Sequence, residues 1–117
     1  MRVVVGGSRT WTDRNRIQRF LRVLSPGTTI IHGGAKGADR IAAEVARELG
    51  YQVEEHKPLW NVYGNAAGPI RNGKMLDRNP DYVLAFWDGK SPGTRDLIEQ
   101  ATGRGIRIQI INPEQHP

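Results

Sequence analysis

Thr28-Thr29-Ile30-Ile31-His32-Gly33-Gly34-Ala35-Lys36-Gly37-Ala38-Asp39, followed by an amphipathic run to Leu49 and then Gly50, decides the fold class. The β-branched run reads as a strand with Ile30 and Ile31 at its centre. The spacing of Ile41, Ala42, Val45, Ala46 and Leu49 predicts a helix from about Asp39, with Gly50 as its C′ stop. Gln52 to His56 reads as the next strand. Strand, glycine-rich turn, helix and strand form a unit with parallel strands and a right-handed crossover.

The same alternation extends in both directions. Upstream, Val3-Val4-Val5 is a buried strand that runs into Gly6-Gly7-Ser8. Thr12 or Asp13 caps a helix carrying Ile17, Phe20, Leu21 and Leu24, which Ser25-Pro26-Gly27 ends. Downstream, Lys57 to Ala67 is irregular and carries Trp60 and Tyr63. Gly68-Pro69 opens a further helix with proline at its first position, and Asn79-Pro80 breaks it. Asp81 to Phe86 reads as a strand, Trp87 to Gly93 as a loop, Thr94 to about Thr102 as a helix and Ile106 to Ile111 as a last strand. The expected fold class is α/β: a Rossmann-like, doubly wound, mostly parallel sheet of about five strands with helices on both faces. Residues 1–117 read as a single domain.

Composition narrows the function classes. The chain has 117 residues and no cysteine, so disulfides and thiolate metal sites are excluded. No apolar run approaches the roughly 18 residues of a membrane span, and Met1 to Val5 is too short for a signal peptide. No membrane partner is expected, and the cytoplasm is the expected compartment. The 17 Lys and Arg against 12 Asp and Glu give a net charge of +5, which serves solubility or an anionic partner. The basic residues are spread from Arg2 to Arg107 rather than blocked, which disfavours a polybasic nucleic-acid tail.

Three glycine-rich loops fall at the carboxyl ends of strands, where ligands bind in such sheets. In Gly6-Gly7-Ser8-Arg9-Thr10, free amides and hydroxyls suit phosphate oxygens and Arg9 supplies charge. Gly33-Gly34-Ala35-Lys36-Gly37-Ala38-Asp39 sits at a helix start, where amides and dipole favour an anion. It matches neither the Walker A loop nor the dinucleotide fingerprint. Asp39 reads either as an N-cap or as a ligand contact. Ser91-Pro92-Gly93-Thr94-Arg95-Asp96 places Gly93 and Thr94 at another helix start. Arg71, beside Asn72, reads as a bidentate phosphate ligand or as a surface arginine. Trp60, Tyr63 and Trp87 can stack on a base, pack in the core or make an oligomer contact. The three histidines lack metal spacing, so no metal is expected, and no cofactor is implied.

These motifs resemble a known group. Residues 6 to 13 resemble the opening motif of the YspA-type branch of the SLOG superfamily. His32 to Asp39 resembles its second motif. Trp60 with Ala67-Gly68-Pro69-Ile70-Arg71-Asn72 and Met75 resembles its third, and Gly93-Thr94-Arg95-Asp96 its fourth. The resemblance spans nearly the whole chain in order. It implies a Rossmann-like fold that binds a nucleotide-derived small molecule, a nucleoside phosphate or ADP-ribose type of ligand. The related LOG enzymes hydrolyse the N-glycosidic bond of nucleoside monophosphates with an arginine and a Pro-Gly-Gly-x-Gly-Thr-x-x-Glu loop. Arg71 matches that arginine, but Leu97 stands at the glutamate position. Asp96 and Glu99 are the carboxylates left as catalytic candidates, so binding is favoured over hydrolysis. The relative DprA implies single-stranded nucleic acid as a further, less favoured partner. A homo-oligomer is compatible with the exposed aromatics.

Overall fold

The structure is a computed structural model that describes residues 1–114. Five strands, β1 (Arg2–Gly7), β2 (Thr29–His32), β3 (Gln52–Glu55), β4 (Tyr82–Phe86) and β5 (Ile108–Ile111), form one sheet in the order β3-β2-β1-β4-β5. Every adjacent pair is parallel; Val4 sits opposite Ile31 of β2 and Val83 of β4. The order reverses beside β1, which makes the gap between the ends of β1 and β4 the topological switch point.

The three valines of β1 explain why helices cover both faces. Successive strand residues point to opposite sides, so a strand buried on both faces needs an unbroken apolar run. Val3 and Val5 join α1 (Arg14–Leu21) and α2 (Ala38–Glu48) through Ile17, Leu21, Ala42 and Val45. Val4 joins α4 (Ala67–Leu76) and α5 (Pro92–Gly103) through Met75, Leu76, Leu97 and Ala101. The fold is therefore the doubly wound α/β arrangement expected from the sequence.

The element ends differ from expectation in instructive ways. Asp13 caps α1, its carboxylate accepting the Arg16 amide at 3.1 Å, but the helix stops at Leu21. The stretch from Lys57 contains a short helix, α3 (Trp60–Tyr63), and a 3-10 turn (Gly64–Ala66) that feeds α4 directly. Pro69 is consequently the third residue of α4, where its missing amide still costs nothing because the first amides of a helix lack intrahelical partners. The favoured first position goes to Pro92 instead. Ser91-Pro92 starts α5 two residues before Thr94. Gly50, at φ +82°, follows α2 as the expected stop.

Candidate functional site

A cavity of about 390 Å³ lies at the switch point. Gly6, Gly7, Arg9 and Thr10 line it from the β1–α1 segment, and Asp39 from α2. Arg71, Asn72 and Met75 come from α4, and Gly93, Thr94 and Leu97 from α5. Of the sequence candidates, Gly6, Gly7, Arg9, Asp39, Arg71, Gly93 and Thr94 thus share one space. Ser8, Gly33, Gly34, Lys36 and Gly37 do not line it. Lys36 is exposed, Gly33 is buried, and Gly34 and Gly37 are partly buried.

Ser8 is a junction of loops. Its amide donates to the Phe86 carbonyl at 2.9 Å, and its carbonyl accepts from Trp11 and Ala38 at 3.2 and 3.1 Å. Its hydroxyl accepts the Asp88 amide at 2.9 Å. The residue is 1% exposed, so its polar atoms satisfy buried backbone groups of β4, α2 and the loop before α5. The hydroxyl thus accepts one loop amide and keeps its own proton to donate.

Two glycines permit the close approach of these loops. Gly37 adopts φ +74°, and a Cβ there would strike the carbonyl oxygens of Ser8 and Arg9. Gly33 lies under the Arg71 guanidinium, where a Cβ would overlap Nη1 and sit 2.6 Å from Cζ. Arg71 Nη1 donates to the Gly33 carbonyl at 2.6 Å, and Nε donates to Asn72 Oδ1 at 3.0 Å. Burial lowers the guanidinium's pKa, and the charges of Asp39 and Asp96 oppose that shift. Arg71 is a half-buried, fixed cation rather than a free surface arginine.

Asp39 lines the cavity but is not the N-cap. Gly37 takes the cap position, and Asp39 is the second residue of α2. Its carboxylate accepts the Gly33 amide at 3.0 Å, closing the loop on itself. It is 5% exposed, and burial raises its pKa to about 6, against the pull of Arg71, the Gly33 and Ala35 amides and Arg9. Nearby, His32 Nδ1 accepts the Gly34 amide at 3.0 Å, which assigns the ring proton to a buried Nε2 with no partner among the described residues. Burial lowers its pKa and favours the neutral ring.

Sequence reasoning gave Asn72 no role of its own. Its amide donates to the Gly93 carbonyl at 3.2 Å and to Asp96 Oδ2 at 2.9 Å, tying α4 to the start of α5. The signal was present: Asn72 falls on the buried stripe of α4 with Met75 and Leu76, and a polar residue there needs a partner. Asp96 Oδ2 also accepts from Gln100 at 2.7 Å, and Asp96 does not line the cavity. Glu99 is exposed and does not line it either, whereas buried Leu97 does. At the start of α5 the Gly93 and Thr94 amides precede the first intrahelical bond, from the Arg95 amide to the Ser91 carbonyl at 3.1 Å. Both residues line the cavity, at the positive end of the helix dipole.

The aromatics disperse. Trp11 packs edge-on against Phe86 with centroids 5.5 Å apart. Trp87 donates to the Ser91 carbonyl at 3.1 Å, bracing the α5 loop. Trp60 and Tyr63 are about half exposed, at 50% and 41%, outside the cavity. Among the described residues no cluster of His, Asp or Glu could hold a metal ion, and no helix is long and apolar enough to cross a membrane.

Comparison with known proteins fits this architecture. The X-ray structure of DNA processing protein A (DprA) from Streptococcus pneumoniae superposes with a TM-score of 0.79 at 20% identity. The match covers 97% of this chain and 50% of that one, so this chain spans half the length of the pneumococcal protein. The Gene 61 protein of Mycobacterium phage D29 is 40% identical over 116 residues, covering 92% of this chain and 93% of the phage protein. Residues 1–63 match the YAcAr family, described as the YspA, cpYpsA-related SLOG family, and the chain belongs to that family.

Proposed function

We propose that the cavity binds the phosphate end of a nucleotide-derived small molecule, a nucleoside phosphate or ADP-ribose type of ligand. One observation carries the reading. Two arginines and the first residues of a helix, Pro92 to Thr94, line the same cavity at the switch point of a parallel sheet. Arg71 is held in place before any ligand arrives by Gly33 and Asn72, so little side-chain freedom is lost on binding. Arg9 is exposed at the rim and supplies a second charge. The cavity volume is of the size that holds a small-molecule ligand. Membership of the SLOG family, and the DNA-processing name of the pneumococcal protein of the same fold, support a phosphate-bearing ligand.

Calorimetric titration with a panel of nucleoside mono- and diphosphates and ADP-ribose tests the reading. Arg9→Ala is expected to leave the folded state intact and to weaken binding by about 1.5–3 kcal/mol, the scale of hydrogen bonds to charged groups. Arg71→Ala is expected to weaken it at least as much. Absence of binding by every member of the panel to the folded wild-type protein overturns the proposal.

A further inference from the structure

Arg71 has a second side. The residue that lines the cavity also lines a shallow groove of about 220 Å³ between the Lys57–Tyr63 segment and α4. Lys57 and Leu59 form one wall, Ile70 and Lys74 the other, and Tyr63 the end. No carboxylate lines the groove, although Glu55 ion-pairs with Lys57 at 3.6 Å beside it. Tyr63 keeps 41% of its surface exposed, and the Lys74 ammonium stands 5.7 Å from its ring centroid. Leu59 and Trp60, exposed by 48% and 50%, extend the apolar surface.

An exposed aromatic ring set among lysines meets the two faces of a nucleotide, its base and its phosphate. Continuity through Arg71 decides where that nucleotide belongs. The cavity has room for one nucleotide of its own, and its fixed cation forms part of the wall shared with the groove. We propose that the groove is a second nucleotide subsite, so that the ligand carries two nucleotide units. One sits in the cavity; the base of the other stacks on Tyr63 with its phosphate drawn to Lys74 and Lys57. Arg71 meets the phosphate that links them. The inference rests on the cavity reading above and extends it from one nucleotide to two.

The test compares the four 5′-mononucleotides with the matching 5′-phosphorylated homodinucleotides on the wild-type protein and on Tyr63→Ala, Tyr63→Phe and Lys74→Gln variants. The wild type is expected to bind a dinucleotide about ten-fold or more tighter than its mononucleotide, the scale of one base stacked on an aromatic ring. Tyr63→Ala is expected to erase that gap with mononucleotide affinity unchanged, Tyr63→Phe to keep it, and Lys74→Gln to reduce it. Equal wild-type affinities for the two ligand classes, or a gap that survives Tyr63→Ala, overturn the groove proposal and leave the cavity reading standing. If neither class binds the wild type, the groove proposal is overturned, and the panel titration above decides the cavity reading by itself.

Discussion

Asp39→Asn is expected to stabilise the protein at neutral pH, although it removes the carboxylate that holds the Gly33 loop. In the native state burial raises the Asp39 pKa from 3.8 to about 6, despite the attraction of Arg71. Native protein therefore binds the proton more tightly than the unfolded chain does. The stability contributed by protonated Asp39 is fully present below the unfolded value of 3.8 and is lost as pH rises through about 6. With the pKa raised from 3.8 to about 6, and about 1.4 kcal/mol for each tenfold change in proton affinity, the native state gives up about 3 kcal/mol between acid and neutral pH. Asparagine keeps an acceptor for the Gly33 amide and carries no charge to desolvate. The asparagine variant is thus expected to gain about 3 kcal/mol relative to wild type between pH 3.5 and pH 7. Urea unfolding of both proteins at half-unit steps measures the gap, and the titration of His32 and the other shared groups cancels in the difference. A gap that is flat with pH, or that moves toward the wild type as pH rises, refutes the argument. A flat gap would show that Arg71 and the loop amides balance burial at Asp39, and a reversed one that they outweigh it.

Gly37→Ala is expected to cost about 1–3 kcal/mol from the glycine-only backbone region alone, and more from the Ser8 and Arg9 carbonyls. Gly27→Ala, at φ +82° with open space around it, is the control in urea unfolding, and an equal loss in both denies the close approach at Gly37. Release of free base from nucleoside monophosphates is expected at background level, and equally so in Asp96→Asn and Glu99→Gln, because neither carboxylate lines the cavity. Chromatographic detection of turnover that either substitution abolishes would make the protein a hydrolase.

How much of this was legible before the structure depends on the range of the interaction. Periodicity and caps are local. The three valines of β1, the Ile41 to Leu49 stripe and Gly50 therefore announced their elements, and parallel pairing followed from the connections. Element ends moved where local signals competed. Pro69 and Pro92 each suit a helix start, but the 3-10 turn that feeds α4 puts Pro69 at its third position, whereas Pro92 takes the first position of α5. The site candidates were legible by residue type and loop position, but their tasks were set at a distance. Arg71 meets a carbonyl 38 residues away, and the Ser8 hydroxyl an amide 80 residues away. No spacing rule contains either bond.

The fate of the α5 carboxylates shows that helix phase, once the helix start is known, carries functional information. Adjacent helix residues point about 100° apart. With α5 starting at Pro92, Thr94 and Leu97 share a face three residues apart, and both line the cavity. Asp96 is turned toward α4, where the buried Asn72 amide needs an acceptor, and Gln100 one turn later shares it. Shifting a carboxylate by one position along this helix therefore does not trade one catalytic acid for another. It turns the group from the cavity into the brace that fixes Asn72, and through Asn72 Oδ1 it reaches Arg71 Nε. Asp96 thereby belongs, through Asn72, to the hydrogen-bond chain that holds the Arg71 guanidinium in the cavity wall.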